Sequence, residues 1–174
     1  MIGPGDVTIR REEPRDADAV RRVNELAFGQ PAEANLVREL TAAGASTLSL
    51  VAEKDDGVVG HILFSPVTIE TPAGQVTAIG LAPLAVLPDQ QRKGIGTRLV
   101  QEGLAEMRRL GHDVVVVVGH PDYYPRFGFE RASQFGLRTE IDCPDESFMA
   151  IELRPGALAG RGGMVRYRPE FGAL

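Results

Sequence analysis

The fold is decided by the stretch LAVLPDQQRKGIGTRL at residues 84–99. It predicts a strand, a polar loop that ends in Gly-x-Gly, and then a helix. A helix leaves its first backbone N–H groups without intrahelical acceptors and carries partial positive charge there. Gly94 and Gly96 would let an anion approach those donors closely. Because Arg92, Lys93 and Arg98 add positive charge, the stretch predicts a bound anion the size of a diphosphate.

Two familiar phosphate-binding loops do not fit this stretch. A P-loop needs Gly-x-x-x-x-Gly-Lys-Ser/Thr, which is absent, and a dinucleotide fingerprint needs a glycine where this chain has Leu99. By itself, Gly-x-Gly before a helix is also explained by a tight turn with close packing of helix against strand. The motif therefore needs support from the rest of the chain.

Outward from this stretch, hydrophobic spacing predicts further helices and strands. Towards the N-terminus we expect a strand at 7–10, helices at 17–28 and 32–43, and a hairpin of strands 48–53 and 58–67, kinked near Pro66. The strand at 75–86 contains Gly80 and Pro83, which are unusual in a central strand and suggest a bulge or a broken ladder. Towards the C-terminus we expect a helix at 94–110, a strand of five valines at 114–118 buried on both faces, a short helical segment at 123–127, and strands at 148–153 and 163–167.

Length and composition restrict the class of protein. With 174 residues and no linker or repeat, the chain is expected to form a single domain of the mixed α+β class. A net charge of −5 argues against a nucleic-acid binder. A single cysteine, Cys143, excludes a disulfide framework and a cysteine-based zinc site, and it suits a cytoplasmic protein. We see neither a membrane-spanning run nor a signal peptide at the N-terminus.

The motifs together resemble the GNAT superfamily of N-acetyltransferases. The segment QRKGIG at 91–96 is similar to its Gln/Arg-x-x-Gly-x-Gly/Ala signature, and YPRFGF at 124–129 is similar to its Tyr-x-x-x-Gly-Phe segment. The resemblance extends from Val7 to about Leu153 and leaves 154–174 as a C-terminal extension. HILFSP at 61–66, PDYY at 121–124 and FMAIEL at 148–153 look like a bacterial subgroup of predicted N-acetyltransferases.

The resemblance implies a central, mostly antiparallel sheet with flanking helices and splayed fourth and fifth strands. The pantetheine arm of acetyl-CoA would lie in the gap between those two strands, and the N–H of Val86 would polarise the thioester carbonyl. Acetyl-CoA would be the co-substrate, with no metal. The residues implied to bind it are Leu84, Ala85, Val86, Gln91, Arg92, Lys93, Gly94, Ile95, Gly96, Thr97 and Arg126. Arg126 is equally explained as a solvated surface residue, and dimerisation is common in this family.

The same resemblance implies direct transfer of the acetyl group to a primary amine of a small molecule or peptide. Tyr124 would be the general acid that protonates the departing thiolate; a packed tyrosine with a satisfied hydroxyl is the alternative. Glu33 is a candidate general base, although a carboxylate in the first turn of a helix also favours the helix dipole. A non-catalytic acyl-CoA-binding or sensor module is the alternative function.

The remaining polar candidates have simpler explanations. His120 ends the valine strand beside the presumed site and is another candidate base, although a surface histidine that forms hydrogen bonds is the simpler explanation. His61 and His112 are expected to be structural. Ser65 would line the acceptor pocket or lie in a turn before Pro66. Cys143 has no paired base nearby in the sequence, so an acetyl-cysteine intermediate is not expected.

Overall fold

The computed structural model describes residues 6–173. Met1 to Gly5, part of the N-terminal segment considered above for a signal peptide, and Leu174, part of the predicted C-terminal extension, lie outside the described residues. The described residues form three α-helices: α1 (Ala17–Phe28), α2 (Ala32–Ala42) and α3 (Ile95–Arg109). The strands are β1 (Thr8–Arg11), β2 (Leu48–Lys54), β3 (Gly57–Thr71), β4 (Gly74–Val86), β5 (Val114–Val118), β6 (Glu130–Arg131), β7 (Leu137–Thr139), β8 (Phe148–Glu152) and β9 (Gly163–Arg166).

The strands form a mixed, mostly antiparallel sheet, which confirms the predicted fold class. Their order is β1-β2-β3-β4-β5-β8-β6, and β9 pairs with β3 and β7. The parallel pairs are β4 with β5 and β7 with β9. The β4–β5 ladder consists of Ile79↔Val115 and Gly80↔Val116, whereas β4 itself runs on to Val86. The ladder therefore stops at Gly80, one of the two residues that suggested a break.

Contacts divide the chain into two units, and β3, β4 and α3 contribute to both. The first unit contains the residues up to Ser65, Ala82–Gly103 and the residues from Glu170. Within it, alternation along β3 separates two packing surfaces. Odd-numbered Leu63 packs in a cluster with Val20, Val37 and neighbouring residues of α1 and α2. Even-numbered positions of β3 face α3. At Gly60, for example, a Cβ atom would lie 3.1 Å from Leu99 Cδ1.

The second unit contains Pro66–Leu81 and Leu104–Pro169. Its core surrounds β5, in which Val114 to Val117 are buried as the five-valine run predicts, while Val118 is partly exposed. Val116 packs with Val67, Ala78 and Ala150 from the neighbouring strands. Antiparallel pairing with β8 places Val116 opposite Ala150. Burial on both faces suits a strand of this composition.

Several sequence expectations need correction. Ser65 lies inside β3, which continues through Pro66 to Thr71, so the predicted end of that strand near Val67 and the turn at Ser65 are wrong. The predicted short helical segment at 123–127 is confirmed, as the 3-10 helix Tyr124–Phe127. β6 and β7 are additional strands that the sequence patterns did not predict. Whether the two units form a single domain stays a prediction.

Candidate active site

The loop between β4 and α3 is fixed at both of its ends. At the strand end, the backbone N–H of Leu87 donates to the carbonyl oxygen of Val59 at 2.9 Å. The side-chain amide of Gln91 folds back and donates to the carbonyl oxygen of Val86 at 3.0 Å. At the helix end, Ile95 is buried and its Cγ2 would lie 3.1 Å from a Cβ on Gly60. The residues between these anchors are therefore presented from a rigid frame.

The front end of α3 is open to a ligand. Gly94 has φ +85°, a left-handed conformation that favours glycine, and a Cβ built there would meet no protein atom within 4 Å. The first backbone bond into the helix runs from Arg98 N–H to the carbonyl oxygen of Gly94. The N–H groups of the first turn lie ahead of this bond, where an anion can accept them.

The charged side chains of this loop differ in how far they are already engaged. Arg92 has φ +63°, and both Arg92 and Lys93 are exposed and form no hydrogen bond or ion pair with residues 6–173. Arg98, which the sequence grouped with them, donates to the carbonyl oxygen of Val7 at 2.6 Å and lies 3.6 Å from a carboxylate oxygen of Glu102. Arg92 and Lys93 are thus the cations available to an anionic ligand at this loop.

Tyr124 begins the 3-10 helix that follows β5. Its ring packs edge-on against Tyr123 and Phe129, with centroid distances of 5.1 and 5.7 Å, and only 7% of the residue is exposed. A Cβ on Gly119 would lie 2.4 Å from Cε2 of this ring. The hydroxyl forms no hydrogen bond with the described residues. Burial raises the pKa of Tyr124 well above its ordinary value near 10, so the phenol keeps its proton at neutral pH.

Arg126 is held beside Tyr123. Its Nε donates to the carbonyl oxygen of Tyr123 at 2.9 Å, and its guanidinium carbon lies 4.5 Å from the centroid of the Tyr123 ring. The side chain remains exposed, and this contact is a surface cation–π pair of modest energy. Both explanations of Arg126 given by the sequence, cofactor binding and solvated surface residue, are compatible with this position.

Glu33 lies in the first turn of α2, and its environment is simple. Both carboxylate oxygens accept from the side-chain amide of Gln30, at 3.0 and 3.2 Å. A carboxylate in a first turn interacts favourably with the helix dipole. These contacts match the structural explanation of Glu33, and its role as a base stays a prediction.

The other candidates lie in varied settings. His120 is exposed and accepts the backbone N–H of Tyr123 on its own carbonyl oxygen. Ser65 is fully buried, and its hydroxyl is unpartnered within the described chain. Partial burial and the nearby carboxylates Asp142 and Asp145 raise the pKa of the Cys143 thiol, which makes it a poor nucleophile.

His61 belongs to a polar chain that the sequence patterns did not predict. Asn24 Nδ2 donates to the carbonyl oxygen of Val20 and lies 3.1 Å from His61 Nδ1. His61 Nε2 lies 2.9 Å from Ser49 Oγ, which donates to Glu12 at 2.5 Å. The only sequence signal was a histidine at a core position of β3.

The direction of hydrogen-bond donation along this polar chain excludes a role for Ser49 as a nucleophile activated by His61. Because Asn24 Nδ2 donates to Nδ1 of His61, the imidazole proton lies on Nε2 and is donated to Ser49. A serine nucleophile needs the opposite arrangement, in which the imidazole accepts the hydroxyl proton. The Ser49–His61 pair is therefore a structural link and not a hydrolase site.

Two kinds of feature are absent from residues 6–173. No group of three or more His, Cys, Asp or Glu side chains lies close enough together to hold a metal ion. Within the same range, no helix combines the length and apolar character needed to cross a membrane.

Comparison with known proteins identifies the family. A family model described as an acetyltransferase (GNAT) domain matches residues 8–132. The uncharacterized N-acetyltransferase YhbS of Escherichia coli K12 is 38% identical over 164 residues, which cover 94% of this chain and 97% of that protein. The chain belongs to the GNAT family of acetyltransferases. The N-acetyltransferase YjhQ of Escherichia coli K12 is 40% identical over 153 residues, with 83% of this chain and 84% of that protein covered.

Solved structures of GNAT proteins share the fold along nearly the whole length of the chain. The crystal structure of YhbS from Escherichia coli in complex with CoA aligns with a TM-score of 0.91 at 36% identity, covering 99% of this chain and 95% of that one. A GNAT acetyltransferase from Brucella melitensis in complex with acetyl-CoA aligns with a TM-score of 0.80 at 38% identity, covering 96% and 99%. These relatives support the family resemblance that the loop at 91–96 indicates from sequence.

Proposed function

We propose that this GNAT protein transfers the acetyl group of acetyl-CoA to a primary amine of a small molecule or peptide, without a metal. The observation that carries the proposal is the open front end of α3, with Gly94 in a left-handed conformation and two unengaged cations beside it. Homologues that bind CoA and acetyl-CoA at 36% and 38% identity support the same ligand.

The diphosphate of CoA would accept the N–H groups of the first turn of α3, with Arg92 and Lys93 adding charge. Of the residues assigned to CoA, Gly94, Ile95, Gly96 and Thr97 would act through backbone position rather than side-chain chemistry. Leu84, Ala85 and Val86 would offer the strand backbone to the amides of the pantetheine arm, as an added strand does. The Gln91 amide on Val86 keeps this strand end in place.

Tyr124 would be the general acid. A phenol of pKa near 10 gives its proton to a thiolate of pKa near 8.5 only uphill, by roughly 2 kcal/mol, and burial of Tyr124 increases that cost. The transfer is therefore expected to occur while charge develops on the departing sulfur, not after it has left. Since the phenol stays protonated, titration of Tyr124 would not lower the rate between pH 7 and pH 10.

Attack by the amine would be direct, without an acyl-enzyme. The raised pKa of Cys143 leaves little thiolate at neutral pH for a covalent step. The amine must lose a proton, and the cost depends on its class: roughly 4–5 kcal/mol for a lysine-like amine but about 1 kcal/mol for an α-amine at pH 7. Glu33 would help only in the first case.

The test compares the wild type with Tyr124→Phe by release of free thiol from acetyl-CoA in a panel of primary amines. We expect kcat to fall by roughly 100-fold or more with little change in CoA affinity, because a general acid contributes about that much. Tyr123→Phe is the matched control, since Tyr123 is the neighbouring tyrosine. If Tyr124→Phe turns over like the wild type, Tyr124 is not the acid. CoA binding without turnover on any amine would favour the acyl-CoA sensor.

A further inference from the structure

The seam between α1 and α2 contains a groove that the proposed function does not use. It has a volume of about 370 Å³, and its floor is formed by Ala17, Val20, Ala34 and Val37. None of its lining residues belongs to the loop at 88–94 or to the aromatic cluster around Tyr124. We call it the α1–α2 groove. Its size is that of a small-ligand site.

One carboxylate in the lining of the groove is held in place by hydrogen bonds. Glu12 lines it, and its backbone N–H donates to the carbonyl oxygen of Ser49 at 2.9 Å. Its Oε1 accepts the Ser49 hydroxyl, which is itself held by the fully buried His61. Its Oε2 makes no hydrogen bond with any described residue. The buried polar chain thus fixes the Glu12 carboxylate in the lining of the groove and leaves its Oε2 without a partner among the described residues.

The groove is lined by further charges of both signs. Asp18, at the start of α1, adds a second carboxylate to the lining. Two arginines also line the groove. Arg21 already has partners, because its Nε lies 2.6 Å from Glu25 Oε1 and its Nη2 donates to Asn35 Oδ1 at 3.0 Å. Arg38 of α2 is exposed and makes no hydrogen bond or ion pair within residues 6–173. It is therefore the cation available to a ligand.

We propose that the α1–α2 groove binds an α-amino acid with an aliphatic side chain. Its ammonium group would contact Glu12 and Asp18, its carboxylate would contact Arg38, and its side chain would cover the apolar floor. A simple amine would leave Arg38 without a counter-charge, and a simple carboxylic acid would be repelled by two carboxylates. Only a ligand with both charges and an apolar part matches all three sets of groups.

In the experiment, the full chain is titrated by calorimetry with L-leucine and, separately, with two analogues of L-leucine that each lack one charged group. Isoamylamine lacks the carboxylate, and 4-methylpentanoate lacks the ammonium group. We expect L-leucine to bind at least 10-fold more tightly than either analogue. The absence of L-leucine binding at millimolar concentration would overturn the proposal, as would equal affinity for the three compounds.

Three variants distinguish binding of L-leucine in the α1–α2 groove from a general effect of the protein's surface charge. Arg38→Gln should weaken L-leucine at least 10-fold and leave isoamylamine unchanged, because only the carboxylate uses Arg38. Arg22→Gln is the matched control: it removes the same charge from an exposed position of α1 outside the groove. Ala42→Leu, at an exposed position that lines the groove, should block binding by occupying it. Equal L-leucine affinity in Arg38→Gln and Arg22→Gln would refute the proposal. CoA binding, measured in the same samples, tests the proposed function separately.

Discussion

Gly119 makes room for the ring of Tyr124: a Cβ at Gly119 would lie 2.4 Å from Cε2 and 3.0 Å from Cδ2 of that ring. The backbone of Gly119 is not in the left-handed region, so an alanine is excluded by the ring alone and not by its own conformation. The residue that follows β5 must therefore lack a side chain for the Tyr124 ring to lie where it does.

We predict that Gly119→Ala lowers kcat by roughly 10- to 100-fold, because it would displace the proposed general acid, Tyr124, and displacement of a catalytic group by about 1 Å has costs of that order. The phenol itself is retained, so the effect would report position and not loss of the acid. The measurement is thiol release from acetyl-CoA with an amine that the wild type accepts.

Gly172→Ala is the control for this variant, since a Cβ there meets nothing within 4 Å and the backbone is not left-handed. It should leave kcat unchanged. A Gly119→Ala protein with wild-type kcat would show that turnover does not depend on the position of the Tyr124 ring against Gly119.

Gly60 allows the front of α3 to approach β3. A Cβ at Gly60 would lie 3.1 Å from Ile95 Cγ2 and from Leu99 Cδ1. We predict that Gly60→Ala lowers the free energy of unfolding by about 1–3 kcal/mol, as overpacking does, and weakens CoA because the first turn of α3 is pushed outward. Urea unfolding and calorimetry with CoA measure the two effects.

Gly103→Ala tests whether the CoA effect is local. Its Cβ would lie 2.5 Å from the Phe64 ring, two turns further along α3. It should also lower the free energy of unfolding, in spite of a gain of about 1 kcal/mol in helix propensity, and should leave CoA affinity close to the wild type. Equal losses of CoA affinity in the two variants would mean that stability, and not the position of the first turn, controls binding.

Gly94→Ala should weaken CoA binding at least 10-fold. Its φ of +85° costs an alanine about 1–2 kcal/mol, and its Cβ would enter the space in front of the helix where we place the diphosphate. Gly111→Ala has almost the same strain, at φ +87° with nothing within 4 Å, but lies after the end of α3. Both variants should lose stability, and only Gly94→Ala should lose CoA affinity. The same CoA affinity in both would contradict the placement of the diphosphate.

Local signals account for what the sequence predicted well. The bounds of α1 agree with the prediction because apolar spacing marks its face and Gly29, at φ +69°, ends it. The loop before α3 was predicted because its glycines and charges lie within a few positions of one another. β6 and β7 have two and three residues, and their pairing partners are remote in sequence, as in Glu130↔Ala150 and Leu137↔Gly163.

The polar chain that contains His61 could not be predicted from sequence patterns. Glu12, Asn24, Ser49 and His61 come from four separate segments. They meet because the register Ser49↔Leu63 places Ser49 diagonal to His61 on one face of the sheet. That register is set by the pairing of β2 with β3, and no short motif contains it.

His61 makes stability depend on pH. Complete burial lowers its pKa from 6.5 to about 3, so the folded protein binds the proton much more weakly than the unfolded chain does. The stabilisation is complete above pH 6.5 and is lost as the pH falls towards 3, because only the unfolded chain gains a proton in that range. The loss between pH 6.5 and pH 4.5 is expected to be about 2 kcal/mol.

His61→Gln should remove this slope, although it lowers stability at pH 7 by breaking the chain to Ser49. Urea unfolding of both proteins at pH 6.5 and pH 4.5 isolates the histidine, because the difference between their slopes cancels groups that they share. Asp16, whose pKa is lowered to about 2 by its ion pair with Arg10, loses its stabilisation between its ordinary pKa near 3.8 and 2, below this window. If His61→Gln keeps the wild-type slope between pH 6.5 and pH 4.5, another group carries the pH dependence, because a titrating His61 is then absent.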